Sequence, residues 1–216
     1  RYESLSLRAN APTRRVSGVS QIRAQWYEDA DEDDDDQPGW QKRWLFLRRP
    51  REGYDRKKVR NRVPQDPQRT DCPCGSGKSY AGCCNRFHDT GDNPNDPVEL
   101  IRARYSAYAF RLPGYIIRTT QRDSPEWVKD QVKWEKEILL FCDGYKFKRL
   151  SGEILGLDFQ ECTFSGPDVA YVQFRAFMLG PGQKSVEILE RSKLTRTGAK
   201  WYYFKGNLLE WDGPLQ

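Results

Sequence analysis

The chain has 216 residues and a net charge of +5, with 31% charged and 37% hydrophobic residues. No window approaches the ~18 uninterrupted apolar residues that a membrane-spanning helix needs, so the sequence predicts no membrane span. The 7 Trp, 11 Tyr and 10 Phe exceed what a wholly disordered chain carries, so the polarity must be concentrated in one part of the chain.

The first 70 residues separate into blocks of opposite charge. Residues 28–36 carry eight acids and no base, and residues 41–69 carry eleven Lys or Arg against three acids. Because like charges repel within each block, residues 1–70 are predicted to form an extended docking arm without a core of its own. The alternative is a solvated tail that binds nothing.

Large aromatic side chains are interspersed among these charges, and interfaces use such side chains as anchors. The predicted partner-binding residues are Trp26, Tyr27, Trp40, Trp44, Phe46, Arg48, Arg49 and Tyr54. They predict a protein partner or a large complex that binds the arm. Because the 41–69 segment is both basic and aromatic, nucleic-acid or ribosome binding is the alternative.

The composition of the N-terminus suggests a compartment. The chain begins at Arg1, and its first twenty residues contain four Arg, four Ser and one acid. This composition is typical of the region around the cleavage site of an organelle transit peptide, although an ordinary basic terminus has it too. We therefore predict an organellar protein, with a plastid favoured over a mitochondrion.

Residues 71–92 are predicted to form a zinc knuckle. Zinc takes four thiolates in a closed tetrahedron, and the glycines between the two cysteine pairs allow the chain to reverse. The candidate ligands of one structural Zn²⁺ are Cys72, Cys74, Cys83 and Cys84. Two disulfides are the competing interpretation, which the strain of short bridges disfavours. The single histidine, His88, is expected to pack against the knuckle, with a ligand role as the alternative.

Residues 93–216 carry helical patterns first and alternating patterns afterwards. Asp96 precedes one helix and Ser124 a second that reaches about Leu140, each followed by the proline and acid typical of a helix start. After Phe141 the apolar period changes to two, with turns near residues 179–183 and at Gly198. Helices followed by a long antiparallel sheet predict an α+β domain.

Several strings of residues resemble known families. Residues 72–78 (CPCGSGK) with the Cys83-Cys84 pair resemble the SEC-C motif, a short zinc knuckle. The YchJ-like family is resembled by residues 83–88 (CCNRFH), 100–108 (LIRARYSAY), 172–176 (VQFRA), 190–192 (ERS) and 201–203 (WYY). The resemblance covers about residues 71–207. It implies zinc bound by the four cysteines and a cone-shaped domain similar to nuclear transport factor 2, but it implies no reaction.

Glu190 is a polar residue within an otherwise apolar strand face. Its parity with Val186 and Ile188 directs its carboxylate to the concave side of the predicted sheet. A buried acid needs a partner, so we expect an ion pair with Arg102 or Arg104. The alternatives are a β-bulge that turns Glu190 outward and an acid–base role in a cavity.

The sequence thus predicts a non-catalytic zinc-binding interaction protein, an accessory subunit that docks onto a larger organellar complex. With one histidine and no recognisable nucleophile arrangement, we expect no enzyme and no small-molecule substrate. A nucleic-acid-binding protein is the alternative, and a small enzyme using Glu190 is a weaker one. Cys142 and Cys162 are predicted to be buried thiols rather than a redox pair.

Overall fold

Helices precede a sheet along the chain. The structure, a computed structural model, describes residues 61–147 and 156–212. The helices are α1 (Asn85–Thr90), α2 (Pro97–Ala109), α3 (Pro113–Arg118) and α4 (Gln131–Gly144). The strands are β1 (Gly156–Phe164), β2 (Val169–Leu179), β3 (Ser185–Thr197) and β4 (Lys200–Asp212). This order confirms the predicted α+β class. Among the helices in these two ranges, none combines the length and the apolar composition that a membrane span requires.

The four strands form one antiparallel sheet in the order β1-β2-β3-β4. Successive side chains of a strand point to opposite faces, so one face of the sheet can pack against the helices. On β2 the inward-facing residues Val172, Phe174, Ala176 and Met178 are all buried. They join side chains from α2 and α4 in a single hydrophobic core.

Three register shifts interrupt the pairing of the strands, and each places the extra residue in an edge strand. The extra residues are Gln160 in β1 and Phe204 and Leu209 in β4. Because β3 contains no inserted residue, its alternation continues past Glu190. The hypothesis that a bulge turns Glu190 outward is therefore wrong.

The helix starts agree with the sequence in one case and differ in the other. Asp96 caps α2 as predicted, and its carboxylate accepts the amide of Glu99 at 2.9 Å. α4 begins at Gln131 rather than just after Ser124. The Ser124 hydroxyl donates to the Phe204 carbonyl of β4 and accepts the Glu126 amide at 2.9 Å, and the Trp127 amide closes a turn onto the Ser124 carbonyl at 3.0 Å. α1 and α3 were not predicted from the sequence.

The knuckle and the α+β domain share one core. Tyr80 of the knuckle is fully buried, and the centroid of its ring lies 4.4 Å from that of Phe110 at the end of α2. On the arm side, the Arg62 amide donates to the Phe110 carbonyl at 2.8 Å, and the guanidinium binds Asp143 at 2.6 Å. The division into 1–70, 71–92 and 93–216 stays a prediction, and Arg62 lies against the domain.

The two remaining cysteines differ in exposure. Cys142 on α4 is fully buried, as predicted. Cys162 is exposed, so the prediction of a buried thiol is wrong there. The reason is its place on the edge strand β1, whose second half carries several exposed residues.

Candidate metal centre

The four predicted cysteine ligands come together between the loop that follows Asp71 and the start of α1. Their sulfur atoms all lie within 4.8 Å of one another. The Cys74 and Cys83 sulfurs are 3.7 Å apart, as are those of Cys83 and Cys84. A tetrahedral site with Zn–S bonds of ~2.3 Å has sulfur–sulfur edges of ~3.8 Å. The cluster therefore has the size of a four-thiolate zinc site.

The spacing of the sulfurs also bears on the disulfide alternative. All six cysteines of the chain have free thiols in the structure. A disulfide requires a sulfur–sulfur bond of ~2.05 Å, far shorter than the 3.7 Å found in the cluster. The structure therefore favours metal binding over two disulfides.

A tight loop brings the first cysteine pair to the second. Gly75 has a φ of 79° and Gly77 a φ of 73°, a left-handed conformation that glycine adopts without steric cost. The Cys72 amide donates to the Lys78 carbonyl at 2.9 Å and closes the reversal. The glycines of the motif therefore place the ligands.

The clustered thiols perturb one another's ionisation. Hydrogen bonds from Cys72 and other neighbouring thiols lower the pKa of Cys74 and bring that of Cys83 to about 6. Hydrogen bonding to neighbouring thiols, followed by burial, raises the pKa of Cys72 and of Cys84. Four thiolates in so small a volume need a cation, which a bound dication supplies while the protons are released.

Two serine hydroxyls lie against the cluster. The Ser76 oxygen is 3.2 Å from the Cys83 sulfur, and the Ser106 oxygen of α2 is 3.4 Å from the Cys72 sulfur. Hydroxyls at these distances can donate to thiolates and so stabilise the ligands of a metal. Ser106 is fully buried, so α2 forms one wall of the centre.

His88 lies beside the centre and not in it. Its Nδ1 is 2.7 Å from the Tyr80 hydroxyl, and its Nε2 is 2.9 Å from the Ala103 carbonyl. Because a carbonyl only accepts, Nε2 donates and Nδ1 accepts from the tyrosine. Both ring nitrogens are therefore used in joining the knuckle to α2, which agrees with the packing role predicted for His88.

This neutral histidine predicts an acid-dependent loss of stability. Burial lowers the pKa of His88 from 6.5 to about 4, so the unfolded chain takes up a proton first as the pH falls. The stabilisation is complete above pH 6.5 and decreases as the pH falls to about 4, by up to about 3 kcal/mol. Urea unfolding across this range should show the free energy of unfolding falling more steeply for the parent than for a His88→Gln variant.

Acid also protonates the cysteines, and the comparison with His88→Gln removes that common contribution. Both proteins contain the same four thiols, so release of metal affects them alike. Parallel pH curves for the two proteins would show that the His88 ring does not contribute.

Glu190 faces a cavity between the helices and the concave face of the sheet, as strand parity predicts. The cavity has a volume of about 90 Å³. One carboxylate oxygen accepts the Ser192 hydroxyl at 2.6 Å and the Tyr203 hydroxyl at 3.3 Å. The predicted ion pair with Arg102 or Arg104 is not formed among the described residues, because these hydroxyls bind the carboxylate instead.

Arg102 and Arg104 have other partners. Arg102 donates to the Cys74 carbonyl at 3.4 Å and lies over the Phe159 ring. Arg104 lies over the Tyr203 ring at 4.2 Å, and its Nη1 contacts three oxygens at the end of α3. These are the Ile116 carbonyl at 3.0 Å, the Thr119 hydroxyl at 2.9 Å and the Thr120 hydroxyl at 3.1 Å.

No pattern in the sequence predicts the role of Arg118. Its guanidinium donates to the Phe87 carbonyl at 2.7 Å and to the Asn93 side chain at 3.3 Å, and it lies over the Tyr115 ring. It therefore ties α3 to the helix that begins at the second cysteine pair. An arginine at the end of a six-residue helix is not distinguishable by pattern from a surface residue.

The predicted partner-binding residues all lie outside the described residues: Trp26, Tyr27, Trp40, Trp44, Phe46, Arg48, Arg49 and Tyr54. Their role stays a prediction from the sequence.

A four-cysteine knuckle followed by helices and a curved antiparallel sheet defines a SEC-C motif protein with a domain of the nuclear-transport-factor-2-like fold. The family model "YchJ, middle NTF2-like domain" matches residues 96–206, so the chain belongs to the YchJ/UPF0225 family. A UPF0225 protein of Deinococcus radiodurans is 34% identical over 132 residues, which are 61% of this chain and 85% of that protein. A UPF0225 protein of Sodalis glossinidius is 34% identical over 140 residues, 64% of this chain and 83% of that protein.

Solved structures agree with this assignment. A SEC-C motif containing protein from Rhodopseudomonas palustris is similar with a TM-score of 0.52 and 25% identity, over 65% of this chain and all of that one. A SEC-C motif containing protein from Psychrobacter arcticus has a TM-score of 0.50 and 21% identity, over 64% and 82% of the two chains, and supports the fold alone. The predicted family resemblance is confirmed.

Proposed function

We propose that the protein is a non-catalytic zinc-binding interaction protein whose metal centre fixes the knuckle to the α+β domain. The observation that carries this proposal is the approach of four cysteine sulfurs to within 4.8 Å of one another. Four thiolates complete the shell of a tetrahedral zinc ion and leave no position for water or substrate. Such a closed site supports a structural role for the metal.

Metal analysis of the purified full chain tests the identity of the metal. We expect about one zinc per chain, and after exchange with Co²⁺ the absorption spectrum of a tetrahedral thiolate site. Protein that is folded and stable without metal, or that contains iron instead of zinc, would contradict the proposal.

We infer that the arm supplies the interaction, as an accessory subunit of a larger organellar complex. The support is the set of large aromatic side chains within its charged segments. Tagged full chain should co-purify with a partner from organelle extract, and a Trp40→Ala, Trp44→Ala, Phe46→Ala triple variant should not. Zinc content and thermal unfolding should be the same in both proteins.

A matched control removes three exposed apolar side chains of the domain instead. Val132, Phe164 and Leu209 are 45%, 61% and 50% exposed, and their replacement by Ala should leave co-purification intact. If the domain variant loses the partner and the arm variant keeps it, the arm is not the docking element.

Nucleic-acid binding is the second candidate function. Besides the basic 41–69 segment, the outer face of the sheet carries cation–aromatic pairs: Arg191 lies 4.9 Å from the Tyr171 ring centroid, and Lys193 lies 4.6 Å from that of Phe204. Single-strand binders combine these residue types. Binding of single-stranded RNA that weakens steeply with salt would favour this candidate, and its absence would favour the protein partner.

An enzyme that uses Glu190 is the weaker alternative. The carboxylate does face the cavity, but it accepts hydrogen bonds from two hydroxyls there. These contacts are those of a held carboxylate, so we propose no catalytic role for it.

A further inference from the structure

The cavity between the helices and the sheet has a polar end and an apolar end. Its apolar walls come from aromatic and aliphatic side chains, among them Tyr105, Trp134, Ala176, Met178 and Ile188. Its polar end contains Arg104, Glu126, Glu190 and Tyr203, which contact one another or Gly206. Arg104 is 7% exposed and Glu126 is 6% exposed, so charged groups are buried at one end of a space of about 90 Å³.

Gly206 brings the two carboxylates together. Its amide donates to Glu126 Oε1 at 2.9 Å. A Cβ atom at this position would lie 2.5 Å from Glu190 Oε1 and would also collide with the Tyr203 hydroxyl. The carboxylates of Glu126 and Glu190 therefore both lie against the backbone of residue 206, where only a glycine leaves room for them.

The cation at this end is directed away from Glu190. Arg104 places its Nη1 on three uncharged oxygens at the end of α3 and its guanidinium over the Tyr203 ring. The hydroxyl of the same tyrosine donates to the Glu190 carboxylate. Among the described residues that line this end, the carboxylates of Glu126 and Glu190 lie beside the one guanidinium of Arg104.

Tyr108 adds an uncommitted hydroxyl. Tyr108 lines the same cavity as Arg104, Glu126 and Glu190, and burial raises the pKa of its hydroxyl. Within the two described ranges of the chain, it makes no hydrogen bond to another residue. It therefore offers a further polar contact to a ligand in the cavity.

We propose that this cavity binds a small primary amine, with the ammonium group at Glu190, Glu126 and Tyr108 and a short apolar body among the aromatic walls. An ammonium has three N–H donors and no acceptor, which matches two carboxylates and a hydroxyl oxygen. Charge-assisted hydrogen bonds are about twice as strong as those between neutral groups. The inference is independent of the metal centre, which lies outside this cavity.

The volume limits the ligand. An apolar cavity of ~150 Å³ holds benzene, so a space of about 90 Å³ suits a body of only a few carbon atoms. Propylammonium, 1-propanol and propionate therefore form a suitable set of probes, because they share a body and differ in charge.

Titration of the ¹⁵N-labelled, zinc-loaded full chain tests the proposal by NMR at neutral pH and constant ionic strength. We expect saturable shifts of the Gly206 and Ala176 amides with propylammonium chloride. Binding of 1-propanol should be about tenfold weaker or more, and propionate should not bind. Equal binding of the three probes, or no saturable shift with propylammonium, would overturn the proposal.

Two variants and a control assign the site. Glu190→Gln keeps the shape but removes the charge, and should weaken propylammonium binding about tenfold or more. Glu187→Gln, on the outer face of the same strand, should bind propylammonium like the parent.

If Glu190→Gln does not fold, Ala176→Leu tests the site instead, because its larger side chain fills the apolar end of the cavity and should abolish binding. Propylammonium binding that persists at parent strength in Ala176→Leu, or in folded Glu190→Gln, would show that the amine binds elsewhere.

Discussion

Replacing Cys83 by Ser should release the metal and destabilise both the knuckle and the domain. A hydroxyl is a poor zinc ligand at neutral pH, and the remaining three thiols lose the cation that their proximity requires. Cys72, Cys74 and Cys84 belong to the same hydrophobic core as residues of the sheet, so the effect should reach beyond the knuckle. We expect zinc well below one per chain and a free energy of unfolding lowered by about 3 kcal/mol or more.

Cys162→Ser is the matched control for this experiment. It removes one thiol in the same way, but at an exposed position on the edge strand β1. Its zinc content and urea unfolding should equal those of the parent, with a change within about 0.5 kcal/mol. If Cys83→Ser kept full zinc and stability, the four-thiolate site would be wrong.

Arg104→Met should be strongly destabilising, although it removes no ion pair. It removes the guanidinium that donates to the Ile116 carbonyl and to the hydroxyls of Thr119 and Thr120, and with it the cation over Tyr203. The Ile116 carbonyl keeps the Thr120 hydroxyl as a donor at 2.8 Å, so the two hydroxyl oxygens lose most. Relief of the desolvation of the charge offsets part of this loss. We expect urea unfolding to show a net cost of about 2–3 kcal/mol, with zinc content unchanged.

Arg69→Met is the control, because Arg69 is exposed. Its replacement should lower the free energy of unfolding by less than about 0.5 kcal/mol. Arg104→Lys keeps the charge but loses the planar fork, so its stability should lie between those of the parent and Arg104→Met. An Arg104→Met variant as stable as the parent would show that the cation at the end of α3 is dispensable.

The sheet and the knuckle could be predicted because their signals are local. Alternation along β2 and β3 follows from the geometry of a strand, so it placed Val172 inward and Glu190 at the cavity. The spacing of the cysteines and the glycines of their loop likewise predicted four thiols in one place. Neither inference depends on which distant segments of the chain come into contact.

The sequence-based predictions that the structure corrects concern contacts between distant segments of the chain. Ser124 has the features of a helix cap, but β4 binds its hydroxyl and Asp130 caps α4 instead. Arg104 was expected to pair with Glu190, but the short helix α3, unseen in the sequence, brings three oxygens to its guanidinium. Strand parity correctly predicts that Glu190 faces the cavity, but it does not predict that the hydroxyls of Ser192 and Tyr203 bind the carboxylate.

The position of the extra residues in the sheet bears on which insertions and deletions the family can accept. Gln160, Phe204 and Leu209 each lie in an edge strand, which has a neighbouring strand on one side only. Deleting one of these residues would affect the pairing of that edge strand with its single neighbour only. Losing one residue from β2 or β3 would exchange the two faces for the rest of that strand, bringing charged side chains such as Arg175 or Arg191 into the core. Length differences among relatives should therefore collect in β1 and β4, while β2 and β3 keep their length.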